Sequence, residues 1–201
     1  MLGLPKTTEL SKSIFKKNLY LKFNMNEAAK RSFDEDVAKV TIVNEVSPVS
    51  TNIAAGDEVS RFFVVHVVLK RENFSDKNIE LLSKMIAQKM LFVLEYEGRA
   101  VLALTEGKLL KTQWADIDGL TVPFEGLNLD AVWSKIVSVV LGGEWDDTLN
   151  IEENIEQHAE LVQISKEILK LEKQIKNEKQ PKKKFELVQK MKKLKEKSND
   201  V

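Results

Sequence analysis

Residues 61–70 read RFFVVHVVLK, and seven of the eight positions between Arg61 and Lys70 are apolar, without the in–out alternation of a half-exposed strand. A short, β-branched, near-continuous apolar run predicts a central strand covered on both faces. His66 breaks the run, and the two-residue period of a strand puts it on the face opposite Val65 and Val67. Upstream, VTIVNEV (40–46) is a second β-branched strand bounded by SPVS, and TNIAAGDEVS (51–60) has the small and acidic residues of a loop. Downstream, SDKNIELLSKMIAQ (75–88) carries Ser75 or Asp76 as cap and Ile79, Leu82 and Ile86 as one stripe, which predicts a helix. KMLFVLEYEGRAVLALTEGKLLKTQW (89–114) follows as two or three antiparallel strands, with Gly98 and Gly107 at the turns. The strand–helix–strand step across residues 62–96 fits a right-handed crossover between parallel strands.

Two more helices flank this core. In NEAAKRSFDEDVAKV (26–40), Ala29, Phe33, Val37 and Val40 recur every three or four residues behind the Asn26 cap. LNLDAVWSKIVSVVLGG (127–143) turns Leu129, Val132, Trp133, Ile136, Val137 and Val140 to one side and ends at a glycine pair. These elements define an α+β domain with a mixed sheet over residues 1–147.

The pattern changes beyond EWDDTLN (144–150), a polar connector. Leu161, Ile164, Ile168, Leu171 and Ile175 are spaced three, four, three and four, a heptad seam. The interruption at Glu178–Pro181 suits a turn, with Pro181 in the first turn of a new helix. Leu187, Met191 and Leu194 then resume the seam, supported by Phe185 and Val188. Residues 152–198 therefore read as an antiparallel, coiled-coil-like helical hairpin.

The formal charges cancel, with 31 Lys+Arg against 31 Asp+Glu, but from residue 158 onward 13 lysines face 7 acids. That asymmetry is a sign of a segment with its own partner, and it is also what any Lys-rich exposed helix produces, the plainer cause. On the second helix, Lys182, Lys183, Lys184, Lys190 and Lys193 are the candidates for contact with a nucleic-acid backbone. Arginine, the residue suited to bidentate phosphate or base contact, is absent there. On the first helix Lys166, Lys170 and Lys173 alternate with Glu167 and Glu172, the pattern of a solvated flank. Leu169, Phe185 and Val188 lie off the main seams and are the candidates for a partner-facing stripe, with Leu187, Met191 and Leu194 beside them.

Several function classes find no support. The chain has no cysteine and two histidines, so thiolate sites and disulfides are excluded and a reducing, cytoplasmic compartment is expected. No glycine-rich phosphate loop and no EF-hand spacing occurs, and neither a metal site nor a cofactor is expected. Residues 1–23 lack a secretory-signal pattern, and no apolar run approaches the roughly 20 residues that span a bilayer. A restriction-type nuclease would place an acid at one strand end, then an acid, a spacer and a lysine on the next strand. Glu45 and Lys70 close the two central strands and are the weak candidates for such a site, but Val68 stands where the second acid belongs.

MLGLPK at the start, KRSFDEDVAKV, NEVSPVSTNIAAGDEV, the strand ending in LK, and the closing EKQ and KKFEL occur in that order. In these stretches the chain resembles the prokaryotic domain of unknown function 4391 family along nearly its whole length. The resemblance implies a setting beside DNA methyltransferases and helicases of restriction-type or phage-defence systems. It assigns no catalytic residue. The chain departs from the family pattern near His66 and Val68, where an acid is expected, and at Pro181–Lys182, where an Phe–Asn pair is expected. Together these readings point to a non-enzymatic adaptor that binds a protein partner, or a second copy of itself, through the hairpin. The alternative is a nucleic-acid-binding or degenerate nuclease subunit.

Overall fold

The structure is a computed structural model that describes residues 2–143 and 145–200, with side chains up to residue 197. The chain divides into two compact units, Met1–Gly142 and Gly143–Val201.

The first unit is built on a mixed sheet of strands β1 (Glu9–Ile14), β2 (Val37–Val46), β3 (Phe62–Leu69), β4 (Lys89–Tyr96), β5 (Arg99–Glu106), β6 (Lys108–Lys111) and β7 (Ala115–Asp116). The order across the sheet is β1-β2-β3-β4-β5-β6, and the short β7 also pairs with β5. Among the described strands only the β3–β4 pair is parallel, and helix α4 (Asp76–Ser83) connects those two strands. β3 is central and its backbone is covered on both faces, as its unbroken apolar run requires. Gly98 and Gly107 take positive φ (78° and 66°) in the tight turns that bound β5, where a Cβ would be strained.

Helices α1 (Lys16–Lys22), α2 (Glu27–Asp36) and α4 cover one face of the sheet. Leu19, Phe33, Ile79 and Leu82 from these helices share a core with Val65, Val67, Phe92, Leu94 and Val101 from the strands. Each such side chain, when fully buried, stabilises by about 1.5–3 kcal/mol. A single turn, α3 (Pro48–Thr51), follows β2 and is closed by a Ser47–Ser50 capping box. Helix α5 (Leu129–Leu141) serves the opposite face. Its Trp133 is fully buried, lies 5.2 Å from the Phe62 ring, and donates its indole N–H to Glu106 at 2.6 Å. All six residues expected to face inward on α5 are buried.

Three sequence expectations need adjustment. The helix expected over residues 75–88 ends at Ser83, so Ile86 packs against the core from beyond α4. The helix beginning at Asn26 ends at Asp36, so Val37 and Val40 belong to β2 and not to the helix. Both are nevertheless in the core, because the β2–β3 register shifts between Val37 and Lys39, and the bulge turns both valines to one face. Elements β1 and α1 also fall in a stretch for which no element was expected. Every residue of β1 except Ile14 is exposed, so the edge strand carries no alternation to read.

A fully buried carboxylate, Asp36, locks the end of α2 to the start of α4. It accepts from Arg71 Nε at 2.5 Å, Ser75 N at 2.8 Å and Asn78 Nδ2 at 2.7 Å. Arg71 supplies the countercharge that makes such burial tolerable.

The second unit is the hairpin of α6 (Ile151–Asn177) and α7 (Pro181–Asp200). Asn150 and Glu153 form a capping box at the start of α6, and Pro181 is the first residue of α7. Ile164 and Leu171 on the α6 seam are buried, and Leu187, Met191 and Leu194 on α7 are half-buried.

Candidate functional site

The hairpin presents two sides of different chemistry, and its ion pairs define them. Residues three and four apart neighbour each other on a helix surface. On α6, Val162, Ser165, Leu169, Glu172 and Lys176 therefore form one flank of the seam, and Phe185, Val188, Lys192 and Lys195 form a matching flank on α7. The Lys195–Glu172 ion pair, at 3.3 Å, joins these two flanks on one side of the hairpin. The other side carries Glu160, Gln163, Glu167, Lys170, Gln174 and Asn177 on α6, with Lys183, Glu186, Lys190, Lys193 and Lys197 on α7. It is tied by Lys190–Glu167 at 2.8 Å and Lys197–Glu160 at 2.6 Å. The hydrogen bond from Lys190 holds the Glu167 carboxyl below the usual carboxylate range.

The first side holds the exposed apolar groups. Leu169 is 59% exposed and Phe185 63% exposed, while Val162 and Val188 are half-buried. Three of the residues expected to face a partner, Leu169, Phe185 and Val188, thus share one side. The other three, Leu187, Met191 and Leu194, sit on the seam.

The second side is polar. Near the turn it forms a cleft of about 770 Å³ lined by Lys170, Lys173 and Gln174 from α6 and by Lys183, Glu186 and Lys190 from α7. Leu187 is the one apolar residue in that lining among the described residues. Of the lysines expected to meet nucleic acid, Lys183 and Lys190 line this cleft. Lys182, Lys184 and Lys193 are exposed on the same helix. Lys170 and Lys173, expected on a merely solvated flank, join the cleft because the antiparallel return of α7 lays a second row of lysines beside them.

The first unit places Glu45 and Lys70 apart. Glu45 pairs with Phe63 in the β2–β3 register and binds Arg61 at 2.9 Å. Lys70 follows Leu69, which pairs with Val37 at the other end. Seven residue steps from Phe63 to Lys70 separate the two positions, roughly 23 Å at about 3.3 Å per residue. Lys70 instead borders a separate cleft of about 510 Å³ with Tyr20, Arg31 and Asp34. In that cleft the Tyr20 hydroxyl donates to Asp34 at 2.6 Å, and Lys16 donates to the same oxygen at 2.7 Å. The lysine and tyrosine bonds hold the Asp34 carboxyl low, while burial and then the Asp34 bond push the Tyr20 phenol up.

His66 has the carboxylate partner that no local motif indicated. Its Nε2 lies 2.5 Å from Glu95 Oε2 on the neighbouring parallel strand. Whichever partner carries the proton donates it to the other, so the contact is a hydrogen bond that orients the imidazole on the sheet. His66 and Glu95 lie 29 residues apart in the chain, and only strand pairing unites them. No group of three or more metal-ligating side chains occurs among the described residues. No helix among them is long and apolar enough to cross a membrane.

This architecture defines an α+β protein with a seven-stranded mixed sheet and a C-terminal helical hairpin. The chain belongs to the family described as Domain of unknown function (DUF4391), whose model matches residues 2–197. Comparison with curated proteins and with solved structures found no match to either.

Proposed function

We propose that the chain is a non-enzymatic adaptor that docks a protein partner, or a second copy of itself, through the apolar side of its hairpin. The observation that carries this reading is the exposure of Leu169 and Phe185 on one side of the α6–α7 pair. A seam residue contributes to stability in the isolated chain, but an exposed Phe gains its burial energy only when another surface covers it. The flanking Lys176, Lys192 and Lys195 supply a charged rim, which sets orientation and encounter rate more than affinity. The proposed setting, a DNA-modification or phage-defence assembly, rests on the family resemblance alone, and the cytoplasmic compartment on the cysteine-free composition.

A photo-crosslinking side chain placed in turn at positions 169, 185, 163 and 193 of the full chain tests the reading in the native host. Protein adducts are expected from 169 and 185, on the apolar side, and not from 163 and 193. Equal protein adducts from both sides, or none from 169 and 185, would remove the assignment.

A further inference from the structure

We infer that the opposite, polar side of the hairpin is a nucleic-acid contact surface, centred on the cleft near the turn and reading phosphates without regard to sequence. This surface is independent of the apolar docking side, and the inference does not rest on that reading. Lysines enter the cleft from both arms: Lys170 and Lys173 from α6, Lys183 and Lys190 from α7. Lys190 is engaged by Glu167, whereas Lys170, Lys173 and Lys183 have no carboxylate at ion-pair distance among the described residues. Two acids also line the cleft, so four lysines face two carboxylates there; Glu178 accepts from the Gln180 backbone at 2.8 Å, and Glu186 is exposed.

The lining decides between two kinds of acidic partner. A helix docking in a groove needs several apolar anchors at helical spacing, and this cleft offers Leu187 alone among the described residues. A phosphodiester backbone needs ammonium groups and hydrogen-bond donors along its path. The lysines with Gln174 and Asn177 provide both. Neither arginine nor an aromatic side chain lines the cleft, so nothing there is suited to bidentate base contact or to base stacking. Phosphate contact without base readout is the chemistry that remains.

Fluorescence anisotropy of the full chain with a labelled duplex oligonucleotide and its single strand, at salt from about 50 to 200 mM, tests this directly. Wild type is expected to bind at low salt and weaken steeply as salt rises. Lys170→Gln with Lys183→Gln is expected to flatten the duplex log–log slope by about 0.9 for each lysine removed, or about 0.7 for the single strand. Glutamine is a good helix former, and unchanged circular dichroism verifies that the hairpin is intact. Lys12→Gln with Lys108→Gln removes the same charge from exposed sites on the sheet and should leave the slope unchanged. The inference is overturned if neither oligonucleotide binds, if binding ignores salt, or if the sheet lysines matter as much as the cleft lysines. Binding of poly-glutamate in place of both oligonucleotides would equally overturn it.

Discussion

His66 Nε2 and Glu95 Oε2 meet at 2.5 Å across the parallel pair of strands β3 and β4. Both side chains are less than a third exposed, so the bond is partly shielded from water. Removing either partner leaves the other under-satisfied on the sheet face. A double-mutant cycle with His66→Leu and Glu95→Leu, followed by urea unfolding, should give a coupling of about 0.5–3 kcal/mol. Additive single effects would mean that the pair contributes nothing as a pair.

Asp36 is the most demanding polar group in the first unit, because it is fully buried and bonds donors of Arg71 and Ser75 before α4 and of Asn78 within it. Asp36→Ala strands Asn78 Nδ2 and the Ser75 amide and removes the countercharge of Arg71. The expected loss is about 3–5 kcal/mol in urea unfolding. Asp36→Asn keeps one acceptor and should cost less than Asp36→Ala. Equal losses would show that hydrogen-bond acceptance at this site is unimportant.

The two tyrosines of the chain, Tyr20 and Tyr96, both titrate above the ordinary value of 10.0, for different reasons. Burial and the Asp34 bond raise Tyr20, whereas the bond to Glu97 is the first cause at Tyr96. A raised phenol pKa favours folding below the unfolded value, and that contribution is lost as pH rises from there through the folded value. For Asp34, whose carboxyl is lowered, the contribution is present above the usual carboxylate range and is lost as pH falls through the depressed value. Absorbance titration of the folded chain should place both midpoints above 10.0, and denaturant should return them to it. Asp34→Asn should lower the Tyr20 midpoint only in part, since burial remains. An unchanged midpoint would mean that Asp34 does not act on Tyr20.

Buried and exposed leucines of the hairpin should behave oppositely. Ile164→Ala and Leu171→Ala remove buried seam groups and should destabilise the chain by about 2–4 kcal/mol. Leu169→Ala and Phe185→Ala truncate exposed groups and should stay within about 0.5 kcal/mol in thermal unfolding of the isolated chain. Losses of similar size at Leu169 and Leu171 would place Leu169 in the seam and not on a docking side.

The legible parts of the chain were those whose period matched one element. The seam from Leu161 to Ile175 and the apolar run of β3 each admit a single reading, and the structure has both. Val37 and Val40 misled because a bulge in β2 gives two strand residues a helix-like spacing on one face. β1 was silent because an exposed edge strand has no buried face to leave a trace. The site chemistry was legible only one arm at a time. Lysines at 170 and 183 become neighbours when the turn folds α7 back, and His66 finds Glu95 only through strand pairing.

The proposed docking role is tested most directly by the mass of the tagged full chain, purified from its native host without cross-linking and measured by light scattering after size exclusion. For wild type the expected mass exceeds that of one chain. For Leu169→Glu with Phe185→Glu it should fall to that of one chain, with the unfolding transition unchanged. The same mass for both proteins, whether one chain or a larger assembly, would contradict docking through this side of the hairpin.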